Sequence, residues 1–425
     1  MSLKRLRRRW MTLLWGVLPG LAALSLLLLC RRPLAHDSQP EELPIAARAP
    51  ADLPTPLRAM WVARFHYHEP RDVERIFENC AALGMNTVFW QVRGAATVSY
   101  PSALEPWGIE YGHTDPGWDP LQLAVEAARR HGLRIEAWFN VMPGWHGRRP
   151  PAIADHLYHT HPDWFLRDAD GHRQPLSDFY VILNPCRADV RAHIAAVAAE
   201  LMSRYELDGL HLDYVRYAWD ETPQGRARYP RDPETLSRFS ADSGLSGPDA
   251  DPARWDAWRA DRLRDLVAEI RAAVDDARPG AAMTAAVWNS PRTALRDYLQ
   301  DGPRWLREGL LDGLVPMAYT RDAQQFEGFL REYAVAAGRS GRVIPGVGAW
   351  LHTRPETLAQ QLDFCRGLGG DFALFAYESY FPASAAGAAP DSAASQSQRE
   401  MRRAVLRDAL AAAAAADPTA ALAGE

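Results

Sequence analysis

Cysteine is scarce in this chain. Of 425 residues only 4 are Cys. Beyond an N-terminal apolar run only Cys80, Cys186 and Cys365 remain, an odd number that argues against a full disulfide framework. Cys80 and Cys365 fall in expected helices, where a buried free thiol is the default. There is no CxxC or Cys/His pattern of the kind that holds structural zinc. His156, His159 and His161 lie close in sequence but lack helical spacing and an acidic partner, so neither a metal nor a cofactor is expected. A basic stripe is also missing. The net charge of -5 and the pI of about 6.2 give no footprint for a nucleic-acid partner. No glycine-rich phosphate loop follows the first expected strand, which argues against an open, doubly wound nucleotide-binding sheet.

What is present is ordinary globular composition, 47% hydrophobic and 24% charged, on a chain long enough for one large domain or two small ones. The N-terminus stands apart. Lys4, Arg5, Arg7, Arg8 and Arg9 precede an apolar run over 10–30, and Arg31 and Arg32 follow. The run is long enough to span a bilayer. The heavier charge before it predicts an exported domain. Three fates stay open for 1–35: an uncleaved signal anchor, a cut near Ala35, or a lipoprotein signal ending at Cys30, although Leu29 is bulky for that box. Residues 36–56 read as a Pro- and Ala-rich linker, and 414–425 as a disordered tail.

Between them, over 57–413, strand-like and helix-like segments alternate eight times. Strands are expected at 58–65, 86–93, 134–141, 207–214, 282–288, 311–319, 343–350 and 371–377, mostly short apolar runs suited to burial on both faces. Amphipathic helices are expected at 70–83, 120–131, 189–205, 254–277, 293–308, 323–337, 355–368 and 398–412. The fold class is therefore α/β, a (β/α)8 TIM barrel preceded by a membrane or signal segment. Two connections, 142–187 and 218–251, are much longer than the rest and follow strands, where long loops shape a cleft.

In a parallel barrel, functional side chains sit at the carboxyl ends of the strands. The segment 207–217 carries the strongest signal: Leu210 and Leu212 share one strand face, then Asp213, Arg216 and Tyr217 crowd the end. The alternative is a buried Asp213–Arg216 pair that only staples the strand. Other strand ends offer Arg64 and His66; Gln91 and Arg93, with Glu105 beyond; Asn140; Asn289; Tyr319 and Asp322; and Glu378. Each also has a plain reading: Arg93 pairs with Glu105, Asn140 caps a loop, Glu378 is solvated. Of the 15 Trp, Trp90, Trp138, Trp288 and Trp350 fall at strand ends, as core packing or as flat faces for pyranose rings.

The run Asn86-Thr87-Val88-Phe89-Trp90-Gln91-Val92-Arg93, then Tyr100-Pro101-Ser102-Ala103-Leu104-Glu105-Pro106-Trp107, resembles the glycosyl-hydrolase-like ten family. So do Ala137-Trp138-Phe139-Asn140, Asn184-Pro185, Asp208-Gly209-Leu210-His211-Leu212-Asp213-Tyr214 and Asp312-Gly313-Leu314-Val315-Pro316-Met317-Ala318-Tyr319, in order across 58–378. The resemblance implies a barrel similar to TIM-barrel glycosidases, in bacterial members that are exported, often lipid-anchored, and act on amino-sugar glycans of the cell envelope. It implies here an exported, membrane-anchored glycoside hydrolase cleaving an amino-sugar polysaccharide of the peptidoglycan type. The alternative is a non-catalytic glycan-binding protein using the same cleft. A metal-dependent deacetylase on this fold is a third reading, with a poor ligand pattern.

Two departures limit the transfer. Some relatives carry a second Asp where this chain has Tyr214, and the segment is similar to a chitinase signature whose final acidic residue is here Val215. The expected mechanism therefore pairs Asp213, beside Arg216, with a protonated Glu378 across the cleft. Gln91, Arg93, Trp138, Asn140, Arg216, Tyr217, Trp288, Tyr319 and Trp350 are the expected sugar-binding residues.

Overall fold

A computed structural model describes residues 51–217, 228–338, 341–382 and 392–415. The expected membrane segment, the linker up to 50 and the tail from 416 onward lie outside the described residues. Among the described residues no helix is long and apolar enough to cross a membrane.

The strands in chain order are β1 (Arg58–Val62), β2 (Thr87–Gly94), β3 (Thr97–Val98), β4 (Arg134–Asn140), β5 (Pro143–His146), β6 (Tyr180–Ile182), β7 (Gly209–Asp213), β8 (Ala282–Val287), β9 (Gly313–Pro316), β10 (Arg342–Val343), β11 (Gly346–Gly348) and β12 (Phe372–Phe375). The main sheet is curled, with the order β10-β9-β8-β7-β4-β2-β1-β12-β11. Every pairing along that path is parallel. Only β3, a short antiparallel return on β2, departs from it. Helices connect the strands, as parallel pairing requires.

The helix starts follow from local chemistry. Asp119 accepts from the amides of Leu121 and Gln122 ahead of Pro120–Arg130. Asp322 does the same for Gln324 and Gln325 ahead of Ala323–Ala337, so this candidate acid is an N-cap. Gly84, just past the helix Pro70–Ala82, takes φ +80, where a Cβ would be strained.

Several expected elements differ. The seventh strand, expected over 343–350, is two pieces. Pro345 has no N–H for a ladder, so bonding switches sides there: Ile344 N donates to Leu314 O, and Ala373 N donates to Pro345 O. Hence β10 pairs with β9, β11 pairs with β12, and Gly346 bridges Met317 after β9. The helix expected over 293–308 is also two, Pro291–Tyr298 and Gly302–Arg307. Leu299 takes a left-handed φ of 54, Asp301 caps the second piece, and Pro303 fits the first turn of a new helix but not the interior of one continuous helix. Finally, the eighth strand stops at Phe375 and turns into a short 3-10 helix, Tyr377–Ser379. The long loops hold structure of their own, the antiparallel β5–β6 pair and the helix Pro233–Ser243.

Strand periodicity sets what faces the inside of the curled sheet. Glu136, Trp138 and Asn140 share one face of β4, and register pairs Trp138 with His211 and Asn140 with Asp213. Beneath Asp213, His211 is fully buried and stacked on Phe89 at 3.8 Å. The Trp61 indole N–H donates to His211 Nε2 at 3.0 Å. Because an indole can only donate, His211 carries its proton on Nδ1, which faces Thr284 Oγ1 at 2.8 Å. Thr284 in turn donates to Glu136 at 2.7 Å. Burial holds the His211 pKa down at about 3 and pushes Glu136 up to about 7. This buried, hydrogen-bonded floor supports the residues at the carboxyl ends of the strands.

Candidate active site

Asp213 is the last residue of β7 and is buried. Its Oδ1 accepts from the Tyr214 amide at 2.6 Å and from Arg216 Nη1 at 3.1 Å. Tyr214 takes a left-handed φ of 54, uncommon for a non-glycine residue. Its amide is held by Asp213, its ring lies 3.9 Å beneath the Arg216 guanidinium, and Tyr180 packs edge-on at 4.9 Å. Arg216 also lies over the Trp288 ring at 5.6 Å. One cation thus binds the carboxylate and orders two aromatic rings.

Across the mouth, Phe375 at the end of β12 gathers four rings: Trp350 and Tyr319 at 5.5 Å, Trp61 at 5.7 Å and Trp138 at 6.1 Å. Trp350 is 42% exposed and meets Tyr319 edge-on at 4.8 Å. Among the described residues, Trp138 Nε1, Asn140 Oδ1, Tyr319 Oη and His66 Nδ1 are buried with no hydrogen-bond partner. Buried polar atoms normally have one, so these four suit a polyhydroxylated ligand. The Tyr319 phenol is pushed well above its ordinary pKa, by burial first and then by the Asp213 charge, with Glu378 a lesser contributor. It is therefore within electrostatic reach of both carboxylates.

Glu378 sits in the 3-10 turn after β12, and its Oε2 lies 2.9 Å from His66 Nε2. Burial pulls its pKa up, but the bond and charge of His66 outweigh burial and hold it below the usual range. The simple picture of an isolated, protonated Glu378 does not fit this environment. Gln91 lies buried at the mouth, its Oε1 accepting from the Arg64 amide at 3.2 Å.

Two expected sugar ligands are not brought to the cleft. Register slips between Gln91 and Arg93, a β-bulge that places Arg93 opposite Phe139 rather than Asn140. Its guanidinium lies 4.9 Å from the Phe139 ring on the outer face. There Arg93 is fully buried, donates to both Glu105 oxygens at 2.7 and 2.6 Å, and bonds the Asn140 and Val141 carbonyls. Tyr217 is fully buried too, its hydroxyl 3.4 Å from Cys186 Sγ.

The loop histidines do not converge. His156 Nε2 meets Ala95 O at 3.0 Å, His159 Nε2 meets Pro151 O at 2.8 Å, and His161 Nδ1 meets Thr160 at 2.9 Å. Nearby, Asp168, Asp170 and His172 come together, but the Asp168 carboxylate already takes Arg228 at 2.6 Å and the amides of Asp170 and His172.

Sequence reasoning passed over Tyr180, Tyr214 as a wall residue, and Phe375. For Tyr180 the available signal was the aromatic pair Phe179-Tyr180 inside a long loop after a strand. Nothing in the sequence marked Phe375 as the hub of the opposite wall.

The profile of the family described as glycosyl hydrolase-like 10 matches residues 56–349. Among curated relatives, glycosyl hydrolase DigH of Escherichia coli (strain K12) is 28% identical over 275 residues, 58% of this chain and 57% of that protein. Glycosyl hydrolase YngK of Bacillus subtilis (strain 168) is 25% identical over 311 residues, 65% of this chain and 56% of YngK. The match thus spans little more than half the length of these relatives. Among solved structures, the PgaB (BpsB) glycoside hydrolase domain from Bordetella bronchiseptica aligns with a TM-score of 0.57 at 19% identity, covering 78% of this chain and 96% of that one. A beta-galactosidase from Marinomonas ef1 aligns with a TM-score of 0.59 at 11% identity, covering 84% and 60%. At such identities these two speak for a TIM-barrel-like fold alone.

Proposed function

The chain belongs to the glycosyl hydrolase-like 10 family, and from that premise we propose that it is a glycoside hydrolase whose cleft lies at the carboxyl ends of the strands of a closed (β/α)8 barrel. The split seventh strand, one half on β9 and the other on β12, supports closure. The observation that carries the reading is Asp213: a buried carboxylate at a strand end, paired with Arg216, between aromatic walls and beside polar atoms that lack partners among the described residues.

In this reading Asp213 is the first of two carboxylates and acts at the anomeric centre. Glu378 is the second. Because His66 holds Glu378 toward its charged form, the leaving-group proton is carried by the His66–Glu378 pair rather than by the carboxyl alone. Trp288, Trp350 and Tyr214 offer ring faces for pyranoses, and Asn140, Trp138, Tyr319 and Gln91 offer hydrogen bonds.

The substrate we propose is an amino-sugar polysaccharide of the cell envelope, of the peptidoglycan type, reached by a chain exported and held at the membrane. The family and the charge-flanked apolar run over 10–30 support this. The test is to incubate the protein with peptidoglycan glycan strands, with and without stem peptides, and to weigh the products by mass spectrometry. Shortened strands with one added water per cut support the proposal, and intact strands count against it. A non-catalytic glycan binder remains the second reading. What favours it is Glu378, whose lowered pKa is the reverse of an ordinary general acid.

A further inference from the structure

The family match ends at 349, yet one wall of the cleft lies beyond it. Trp350 and Glu378 follow the seventh and eighth strands, and what fixes them is the C-terminal helix, Ala393–Ala415. Arg399, Arg402 and Arg403, at i, i+3 and i+4 spacing, lie on one face of that helix. They bond three successive carbonyls around the 3-10 turn. Arg399 Nε donates to Glu378 O at 2.9 Å, Arg402 Nη1 donates to Ser379 O at 3.1 Å, and Arg403 bonds Tyr380 O. The end of a helical turn leaves such carbonyls without partners, and basic side chains satisfy them.

Arg402 does more than cap. It is 5% exposed. Its Nε donates to His352 O at 3.1 Å and its Nη2 to Trp350 O at 3.2 Å, in addition to the Ser379 bond. One planar fork therefore ties the loop carrying Trp350 to the turn carrying Glu378. A fork of fixed geometry suits that task better than a single ammonium point charge.

We propose that Arg402 is a positioning residue, which locks Trp350 and the 377–380 turn into one wall of the cleft so that the Trp350 ring is set against Tyr319 and Phe375. Arg402 touches no substrate and acts through Trp350. The proposal rests on reading the cleft as a glycan site, so its test has one arm that needs no glycan.

In that arm, amide hydrogen exchange is followed in the full chain and in Arg402→Gln. Exchange at 350–352 and 377–380 rises together, by about ten-fold or more, while β7 is unchanged. In the other arm, KM on glycan strands is measured for Arg402→Gln, Trp350→Ala and the double variant. Arg402→Gln raises KM about ten-fold, and the double variant is no worse than Trp350→Ala alone. Arg402→Lys recovers part of the loss in both arms, and it serves as the test variant should Arg402→Gln not fold. Unchanged exchange in the two segments of a folded variant overturns the proposal. So do KM losses that multiply in the double variant. A wild-type chain that neither binds nor cleaves glycan sinks the glycosidase reading, while the exchange arm still decides the role of Arg402.

Discussion

His66 Nε2 lies 2.9 Å from Glu378 Oε2, so the carboxyl proposed as the second of the cleft is not isolated. The imidazole comes from the turn after β1 and the carboxylate from the turn after β12, neighbouring strands in the sheet. A proton can be shared across that contact, and His66 favours the charged carboxylate. Removing His66 therefore raises the Glu378 pKa.

His66→Gln is expected to move the limb of the pH–rate profile that belongs to Glu378 toward higher pH. If the pair supplies the leaving-group proton, Glu378→Gln cuts turnover of glycosides with poor leaving groups by about 100-fold or more and spares activated aryl glycosides. Rates on both substrate types are the check. An equal loss on the two makes Glu378 a binding group instead.

Tyr319→Phe removes a hydroxyl that has no hydrogen-bond partner among the described residues. No bond is lost in the free chain, so unfolding free energy stays within about 0.5 kcal/mol of wild type or rises. In turnover the same change costs about ten-fold to a hundred-fold in kcat/KM, the scale of a lost substrate hydrogen bond. Denaturant melts and steady-state kinetics on one preparation separate the two effects. A stability loss without a kinetic one contradicts a ligand-facing hydroxyl.

Arg93 and Glu105 are expected to govern stability rather than catalysis. Breaking a fully buried ion pair by removing one partner costs about 3–5 kcal/mol. Burial alone would raise the Glu105 pKa, but Arg93 and His193 bring it down to about 2. The unfolded carboxyl titrates near about 4.3. A depressed folded value means the stabilisation is full above the unfolded pKa and is lost as pH falls from there toward 2. Stability of the wild type therefore drops through that window, and Glu105→Gln flattens the drop while lowering stability at pH 7. A wild-type curve level across the window would remove this role.

Much of this was legible in the sequence. The eight-fold alternation of apolar strands and amphipathic helices predicted a (β/α)8 barrel, of which the curled parallel sheet with its connecting helices is found, and the strand-end pattern predicted that Asp213 and Arg216 meet. What sequence could not carry was side-chain direction. A period-two pattern puts Arg93 on the same face as Gln91, and a single bulge residue reverses it. Tyr217 is four residues past Asp213, beyond the strand, where periodicity says nothing, and the chain turns it into the core. The unusual φ of Tyr214 and the gathering of Trp61, Trp138, Tyr319 and Trp350 around Phe375 are tertiary outcomes with no local signal.

The central claim is that Asp213 is a catalytic carboxylate of a glycosidase. The measurement that tests it most directly is the rate of glycan-strand cleavage, by product mass, for wild type and Asp213→Asn, with unfolding curves for both. The amide can still accept from the Tyr214 N–H and Arg216, so the account predicts a folded variant whose turnover falls by about 1,000-fold or more. A folded Asp213→Asn that cleaves at near wild-type rate would contradict it and leave the Asp213–Arg216 pair a strand-end staple.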